Sequence, residues 1–130
     1  TVSKLKRIQN TLSRIVLRAD RQSHSSSLLH QLHWLPVQSR IHFKLATITY
    51  KALSTSSPQY LASLLHHYQP THSLHSSSQS PPHHINFGSR SFRCAAPSIW
   101  NAIPVQVRSS SSLDSFKHNL KTYFFSHPPV

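Results

Sequence analysis

The sequence predicts a mainly α-helical protein, with a small helical cluster followed by a shorter C-terminal helical lobe. Two observations support this prediction. Apolar residues recur at three- and four-residue steps in several segments, which is the period of an amphipathic helix. In addition, prolines stand at the beginnings of several of these segments, and proline is well tolerated in the first turn of a helix because its missing N–H costs nothing there.

The first predicted helix covers residues 2–18, and a short second helix follows a Ser-rich loop over residues 19–26. The apolar residues of the first helix share one stripe: Val2, Leu5, Ile8, Leu12, Ile15 and Val16. Its basic residues stand mostly off that stripe: Lys4, Lys6, Arg7, Arg14 and Arg18. The second helix is expected to hold Leu28, Leu29 and Leu32.

A Trp-Leu-Pro corner at residues 34–36 predicts the start of a third helix, which runs from Pro36 to about Leu53. Proline fixes its own φ and disfavours the α region for the residue before it, so two helices can fold back on each other here. We expect Trp34 to be the packing wedge. The predicted buried stripe is Val37, Ile41, Leu45, Ile48 and Ala52, and an adjoining face carries Arg40, Lys44, Thr47 and Lys51.

A fourth helix is predicted to begin at Ser57-Pro58, with the serine as N-cap and the proline as the first helical residue. It carries Tyr60, Leu61, Leu64 and Leu65 and closes the first cluster, residues 1–68. Residues 69–84 are rich in Ser, His and Pro and cannot supply a core, so they are expected to form a disordered linker.

The second lobe, residues 85–130, is predicted to contain two helices and to have room for a minor β-hairpin over Ile85, Phe87 and Phe92. The first helix opens at Pro97 and ends before Pro104, with Ile99, Trp100 and Ile103 facing inward. Ser112 is the expected N-cap of the last helix, and Asp114 suits its first turn. The stripe of that helix is Leu113, Phe116, Leu120, Tyr123 and Phe124.

The charge balance indicates a polyanionic partner. The chain has 14 Lys and Arg against 2 Asp and Glu, a net charge of +12, and 12 histidines add a reserve of charge in mild acid. Such an excess repels itself, so RNA, DNA or an anionic membrane surface is the expected partner. The chain contains no methionine, so we expect a fragment, a processed product or the product of an incompletely predicted gene. The amphipathic, acid-free N-terminus also fits the pattern of a mitochondrial transit peptide.

The residue types speak against catalysis by this chain. Asp20 and Asp114 are its only carboxylates, so paired-carboxylate and two-metal chemistry lack their ligands. A single glycine cannot build a phosphate-cradling loop. Cys94 is the only cysteine, and the histidine pairs lack a set of cysteine ligands, so no metal, cofactor or catalytic residue is predicted. No apolar run is long enough for a transmembrane helix.

The order of five motifs resembles the C-terminal tail of a LINE-type (non-LTR) retrotransposon reverse transcriptase. The motifs are "KLKRIQNTLSRIV", "LHWLPVQSRIHFKLATITYKAL", "SPQYLASLL", "RSFRCAAPSIWNAIP" and "SLDSFKHNLKTYFF". The resemblance implies a tail that follows the polymerase palm and thumb in a frame that also encodes an endonuclease. It implies no catalytic residue in this stretch. It also implies that a protein of this family would act in the nucleus or cytoplasm. The chain departs from the family in its near lack of acidic residues and in its Ser/His-rich middle.

These observations predict a non-catalytic segment that binds the RNA or DNA backbone without sequence preference, next to the polymerase or thumb of the parent protein. The residues predicted to contact phosphates are Lys4, Lys6, Arg7, Arg14, Arg40, Lys44 and Lys51. Tyr50, Tyr60 and Tyr68 are candidates for stacking on bases, with core roles as the default. The alternatives are a structural packing or protein-interaction tail, and a decayed element with no independent activity.

Overall fold

The computed structural model describes residues 2–65 and 91–128. Over these two ranges the chain forms seven α-helices and no β-strand, so the predicted mainly α fold is confirmed. The helices are α1 (Val2–Leu17), α2 (Ser25–Gln31), α3 (Val37–Thr55), α4 (Gln59–Ala62), α5 (Phe92–Ala102), α6 (Val105–Arg108) and α7 (Leu113–Ser126). The predicted linker over 69–84, and Ile85 and Phe87 of the predicted hairpin, lie outside the described residues.

The connection between α2 and α3 is the Trp-Leu-Pro corner. His33 adopts a left-handed φ of 51°, and the Trp34 N–H donates to the carbonyl of Leu29 at 2.8 Å, so α2 ends in a Schellman motif. The Pro36 carbonyl then accepts the first hydrogen bond of α3, at 2.9 Å, and α3 begins one residue later than predicted. Leu35 is the buried residue of the corner at 7% exposure, whereas the predicted wedge, Trp34, is only half-buried.

Helix α3 buries a different side from the one predicted. Of the predicted stripe only Ala52 is buried, and Ile41 is exposed. The side that is buried holds small and polar residues: Ser39, Ala46, Thr49, Tyr50 and Ala52. The Thr49 hydroxyl donates to the Leu45 carbonyl at 2.9 Å, so its polar atom is satisfied within the helix and can be buried. Small residues also let a helix lie close to its neighbours, which the apolar pattern alone does not reveal.

One compact unit comprises Thr1–Phe43 together with His118–Val130. Here α1 packs against α2, and five apolar side chains are buried: Leu28, Leu29, Leu35, Leu120 and Phe124. Phe125 receives two histidine rings edge-on, with centroid distances of 5.7 Å to His30 and 6.3 Å to His33.

The other unit comprises Lys44–Lys117, and its core is aromatic. Tyr50 stacks on Phe116 with ring centroids 4.3 Å apart and planes inclined by 17°. Trp100 lies beside both rings, 5.8 Å from Phe116 and 6.4 Å from Tyr50. The Tyr50 hydroxyl donates to the Ser110 carbonyl at 2.7 Å, so the stacked ring keeps its polar end satisfied.

Two proline positions differ from their prediction. Pro58 is the N-cap of α4, which begins at Gln59. Pro97 lies inside α5, because that helix begins at Phe92 instead of at the proline. An interior proline removes one backbone hydrogen bond, a cost that packing can offset. Ala96 beside it is fully buried at 0% exposure, so α5 is packed against its surroundings at this point.

The last helix matches its prediction. The Ser112 hydroxyl accepts a hydrogen bond from the Ser115 backbone N–H at 3.2 Å, the geometry of an N-cap. Asp114 lies in the first turn and pairs with Lys117 at 3.6 Å. Phe116, Leu120 and Phe124 are buried, so the predicted stripe supplies the packing face of α7, while Leu113 and Tyr123 at its edges are half-buried.

Candidate nucleic-acid interface

Helix α1 carries a basic stripe along its length. At 3.6 residues per turn, Lys4, Arg7 and Arg14 fall within a sector of roughly 80°. Lys4 and Arg7 are exposed. Lys6, which is also exposed, lies on another side of the helix and does not belong to this stripe. The structure therefore groups three of the four predicted phosphate-contacting residues of α1 and separates the fourth.

Arg18 extends the stripe and was not among the predicted phosphate-contacting residues. It stands just past the end of α1 with a left-handed φ of 49°, and its N–H donates to the Ile15 carbonyl at 3.2 Å. The Ala19 N–H donates to the Arg14 carbonyl at 2.9 Å, which completes a Schellman motif. The exposed Arg18 side chain continues the spacing of Lys4, Arg7 and Arg14 in the sequence, a signal that could have identified it.

Arg14 has a structural role in addition to its charge. Its Nη2 donates to the Ser23 carbonyl at 3.4 Å, which ties the α1–α2 loop to the helix. The Nε atom is buried with no hydrogen-bond partner in the structure. The side chain is half-buried, so Arg14 is less available to a phosphate than Lys4 or Arg7.

Helix α3 carries a second basic stripe. Arg40, Lys44 and Lys51 fall within a sector of roughly 40° by helix geometry, and all three are exposed. They lie on the side of the helix away from its buried residues, which include Ala46 and Tyr50. The prediction that these cations share one face of α3 is therefore confirmed.

Neither basic helix contains an acidic residue. Asp20 follows α1, where its Oδ1 accepts the Arg21 backbone N–H at 2.6 Å. Asp114 is engaged with Lys117 on α7. The two carboxylates of the chain are thus occupied elsewhere, and the stripes of α1 and α3 present uncompensated positive charge of the kind that attracts phosphates.

The three tyrosines that were candidates for stacking on bases differ in their exposure. Tyr50 is buried in the aromatic core, as its default reading predicted. Tyr60 on α4 is 69% exposed and is open to a ligand ring. Tyr68 lies outside the described residues.

Two other kinds of site are absent from residues 2–65 and 91–128. No group of three or more His, Cys, Asp or Glu side chains is arranged to hold a metal ion. None of the helices described is long and apolar enough to cross a membrane. Cys94 is half-buried on α5 as a free thiol.

Comparison of the chain with protein-family models, with curated proteins and with solved structures found no match.

Proposed function

We propose that this protein is a non-catalytic module that binds the sugar-phosphate backbone of RNA or DNA without reading the bases. The observation that supports it best is the pair of acid-free helices, α1 and α3, each with three cations on one side. Phosphate contacts of this kind give affinity and position a nucleic acid, but they carry no sequence information.

The lengths of the stripes suit a nucleic-acid backbone. At 1.5 Å per residue, Lys4 and Arg14 are roughly 15 Å apart along α1, and Arg40 and Lys51 roughly 16 Å apart along α3. Duplex DNA carries one charge per about 1.7 Å of its axis, so either stripe runs beside several phosphates. Each stripe therefore has the reach to make more than one ionic contact with a single nucleic acid.

The resemblance to a retrotransposon reverse-transcriptase tail supplies the context of the proposal. In that context the basic helices hold template RNA or target DNA beside the polymerase and thumb of a longer protein, in the nucleus or cytoplasm. The catalytic residues belong to other domains of such a protein, and this chain contributes binding of the nucleic acid.

The test measures how binding depends on salt for short DNA duplexes and short RNA duplexes. Several unrelated sequences of each kind are compared. We expect affinities that differ little between sequences and fall steeply as salt rises, with a log–log slope of about −0.9 per phosphate neutralised on DNA. Replacing Lys44 and Lys51 by glutamine should make that slope shallower by about 2. Replacing Lys4 and Arg7 by glutamine should make the slope shallower by a similar amount.

The matched control is the double variant Arg21→Gln, Arg93→Gln. It removes the same net charge from two exposed positions outside α1 and α3. If the proposal is right, the control keeps most of the wild-type slope. A flat salt response in the wild type, or equal effects of the control and the stripe variants, would overturn the proposal and favour a packing tail instead.

A further inference from the structure

The most unusual surface of the protein is the apolar stripe of α1, which points to solvent. An amphipathic helix ordinarily turns its apolar stripe towards the core. Here the six residues of the stripe are between 43% and 65% exposed: Val2, Leu5, Ile8, Leu12, Ile15 and Val16. They cover a sector of roughly 140° and form one continuous aliphatic ridge. A ridge of this extent marks an interaction site more often than a bare surface.

Helix α1 is held along one edge of the ridge, where Gln9 falls between Val16 and Val2 around the helix and Ser13 lies next to Val2. Its buried residues are Gln9 and Ser13, at 7% and 0% exposure. The Gln9 Nε2 donates to the Leu35 carbonyl at 2.8 Å, and the Ser13 hydroxyl donates to the Asn10 carbonyl at 2.9 Å. The Gln9 bond ties α1 to Leu35, while the Ser13 bond stays within the helix and satisfies its buried hydroxyl. The exposed part of the apolar ridge is available without any unfolding.

The charge around this ridge restricts which kind of partner can bind it. The basic stripe begins beside the ridge, with Lys4 next to it around the helix, and α1 has no acidic residue. A second copy of α1 would bring its four cations close to those of the first, so self-association along the ridge is opposed by repulsion. The occupant must combine an apolar interior with negative charge at its edge.

The composition of the ridge favours a lipid surface over a protein groove. Protein interfaces concentrate Trp, Tyr, Phe, Met and Arg at their centres. The ridge consists of Val, Leu and Ile alone. Helices with an aliphatic face flanked by Lys and Arg lie in the plane of anionic bilayers, with the apolar face among the acyl chains and the cations at the headgroups.

We infer that α1 is a membrane-surface helix, which binds an anionic bilayer through its exposed aliphatic ridge while Lys4, Arg7 and Arg18 lie at the level of the headgroup phosphates. This activity goes beyond the proposed nucleic-acid binding because it requires the apolar ridge, which contains none of the cations. Lys4, Arg7 and Arg18 would serve in both.

The experiment measures co-sedimentation of the full chain with phosphatidylcholine vesicles containing about 30% phosphatidylserine, and with vesicles of phosphatidylcholine alone. We expect binding to the anionic vesicles at least about tenfold stronger than to the neutral ones. The variant Ile8→Ser, Ile15→Ser should weaken anionic-vesicle binding by at least about tenfold, because it removes two aliphatic side chains from the ridge. Its affinity for duplex DNA should stay at the wild-type level.

A second variant reports whether the ridge of α1 enters the apolar interior of the bilayer. Leu12→Trp places an indole in the ridge, and its emission should shift to the blue when anionic vesicles are added, beyond any change shown by the wild type with Trp34 and Trp100. The matched control is Val105→Ser, which alters an exposed aliphatic residue on α6, and we expect unchanged vesicle binding.

Three outcomes would overturn the inference. The first is wild-type protein that ignores anionic vesicles, and the second is vesicle binding that the double serine variant leaves intact. The third is binding to a synthetic acidic amphipathic peptide in the absence of vesicle binding, which would assign the ridge to a protein partner. Loss of DNA binding with vesicle binding retained would instead count against the proposed function alone.

Discussion

The side chain of Gln9 in α1 donates a buried hydrogen bond of 2.8 Å to the backbone carbonyl of Leu35, twenty-six positions along the chain. The bond joins the first helix to the corner that precedes α3. A polar side chain thus holds α1 in place where its apolar pattern would have suggested Leu5 or Leu12. The same bond explains how the aliphatic ridge of α1 can remain exposed in an ordered helix.

Replacing Gln9 by alanine should therefore destabilise the first compact unit. The Leu35 carbonyl would be left buried without its donor, which costs about 1–3 kcal/mol. Urea unfolding followed by far-UV circular dichroism measures the change. Gln31→Ala, at an exposed position in the last turn of α2, is the matched control and should change stability by less than about 0.5 kcal/mol. Equal effects of the two substitutions would show that the bond contributes nothing.

The hydroxyl of Tyr50 offers a cleaner test of the second unit. Tyr50→Phe keeps the stacked ring on Phe116 and removes the bond to the Ser110 carbonyl, so a loss of about 1 kcal/mol is expected. Tyr50→Ala removes the ring as well and should cost about 3–5 kcal/mol. Tyr60→Phe is the control, since Tyr60 is 69% exposed. A Tyr50→Phe variant as stable as the wild type would contradict the argument.

The N-cap of α7 can be tested with neighbouring serines. Ser112→Ala removes the acceptor of the Ser115 N–H and should lower stability by about 1 kcal/mol. Ser111→Ala changes an exposed serine one position earlier and should have little effect. The cap places Phe116 and Leu120 by fixing where α7 begins, so loss of the cap should also reduce near-UV circular dichroism from the aromatic core. Identical melting curves for the two variants would rule the cap out.

The pH dependence of stability should show the effect of the lowered pKa of His42. Burial lowers the pKa of His42 from its usual 6.5, because the charged imidazole is poorly solvated beside Phe124. Above pH 6.5 the ring is largely neutral in both folded and unfolded chains. As pH falls below that value, the unfolded chain takes up the proton more readily, so stability falls until the folded-state pKa has been passed.

The measurement compares unfolding free energies of the wild type and His42→Gln between about pH 5 and pH 8. The advantage of the wild type over the variant should shrink as pH falls, because glutamine does not titrate. His118→Gln removes an exposed imidazole from α7 as a control. A difference between wild type and His42→Gln that is constant across this range would contradict the lowered pKa.

The basic stripes were accessible to sequence reasoning because they depend on local geometry alone. Arg40, Lys44 and Lys51 share a face in any α-helix, and they could not be buried without paired charges. Arg18 was placed in the first predicted helix but not among the phosphate contacts, although its spacing matches that of Lys4, Arg7 and Arg14. The structure places it just past the helix end, in a left-handed conformation. The second role of Arg14 depends on Ser23, nine residues away, and so on the path of the loop.

By itself, the sequence determined the helical class, the N-cap at Ser112, the packing face of α7 and the cationic faces, since periodicity and capping act within a few residues. Only the tertiary structure decided which sides of α1 and α3 are buried. Apolar content predicts burial from the pattern alone, whereas the structure buries Ser13, Ser39 and Ala46 and leaves Ile8 and Ile15 in solvent. That choice depends on the shapes of neighbouring elements, which no single segment encodes.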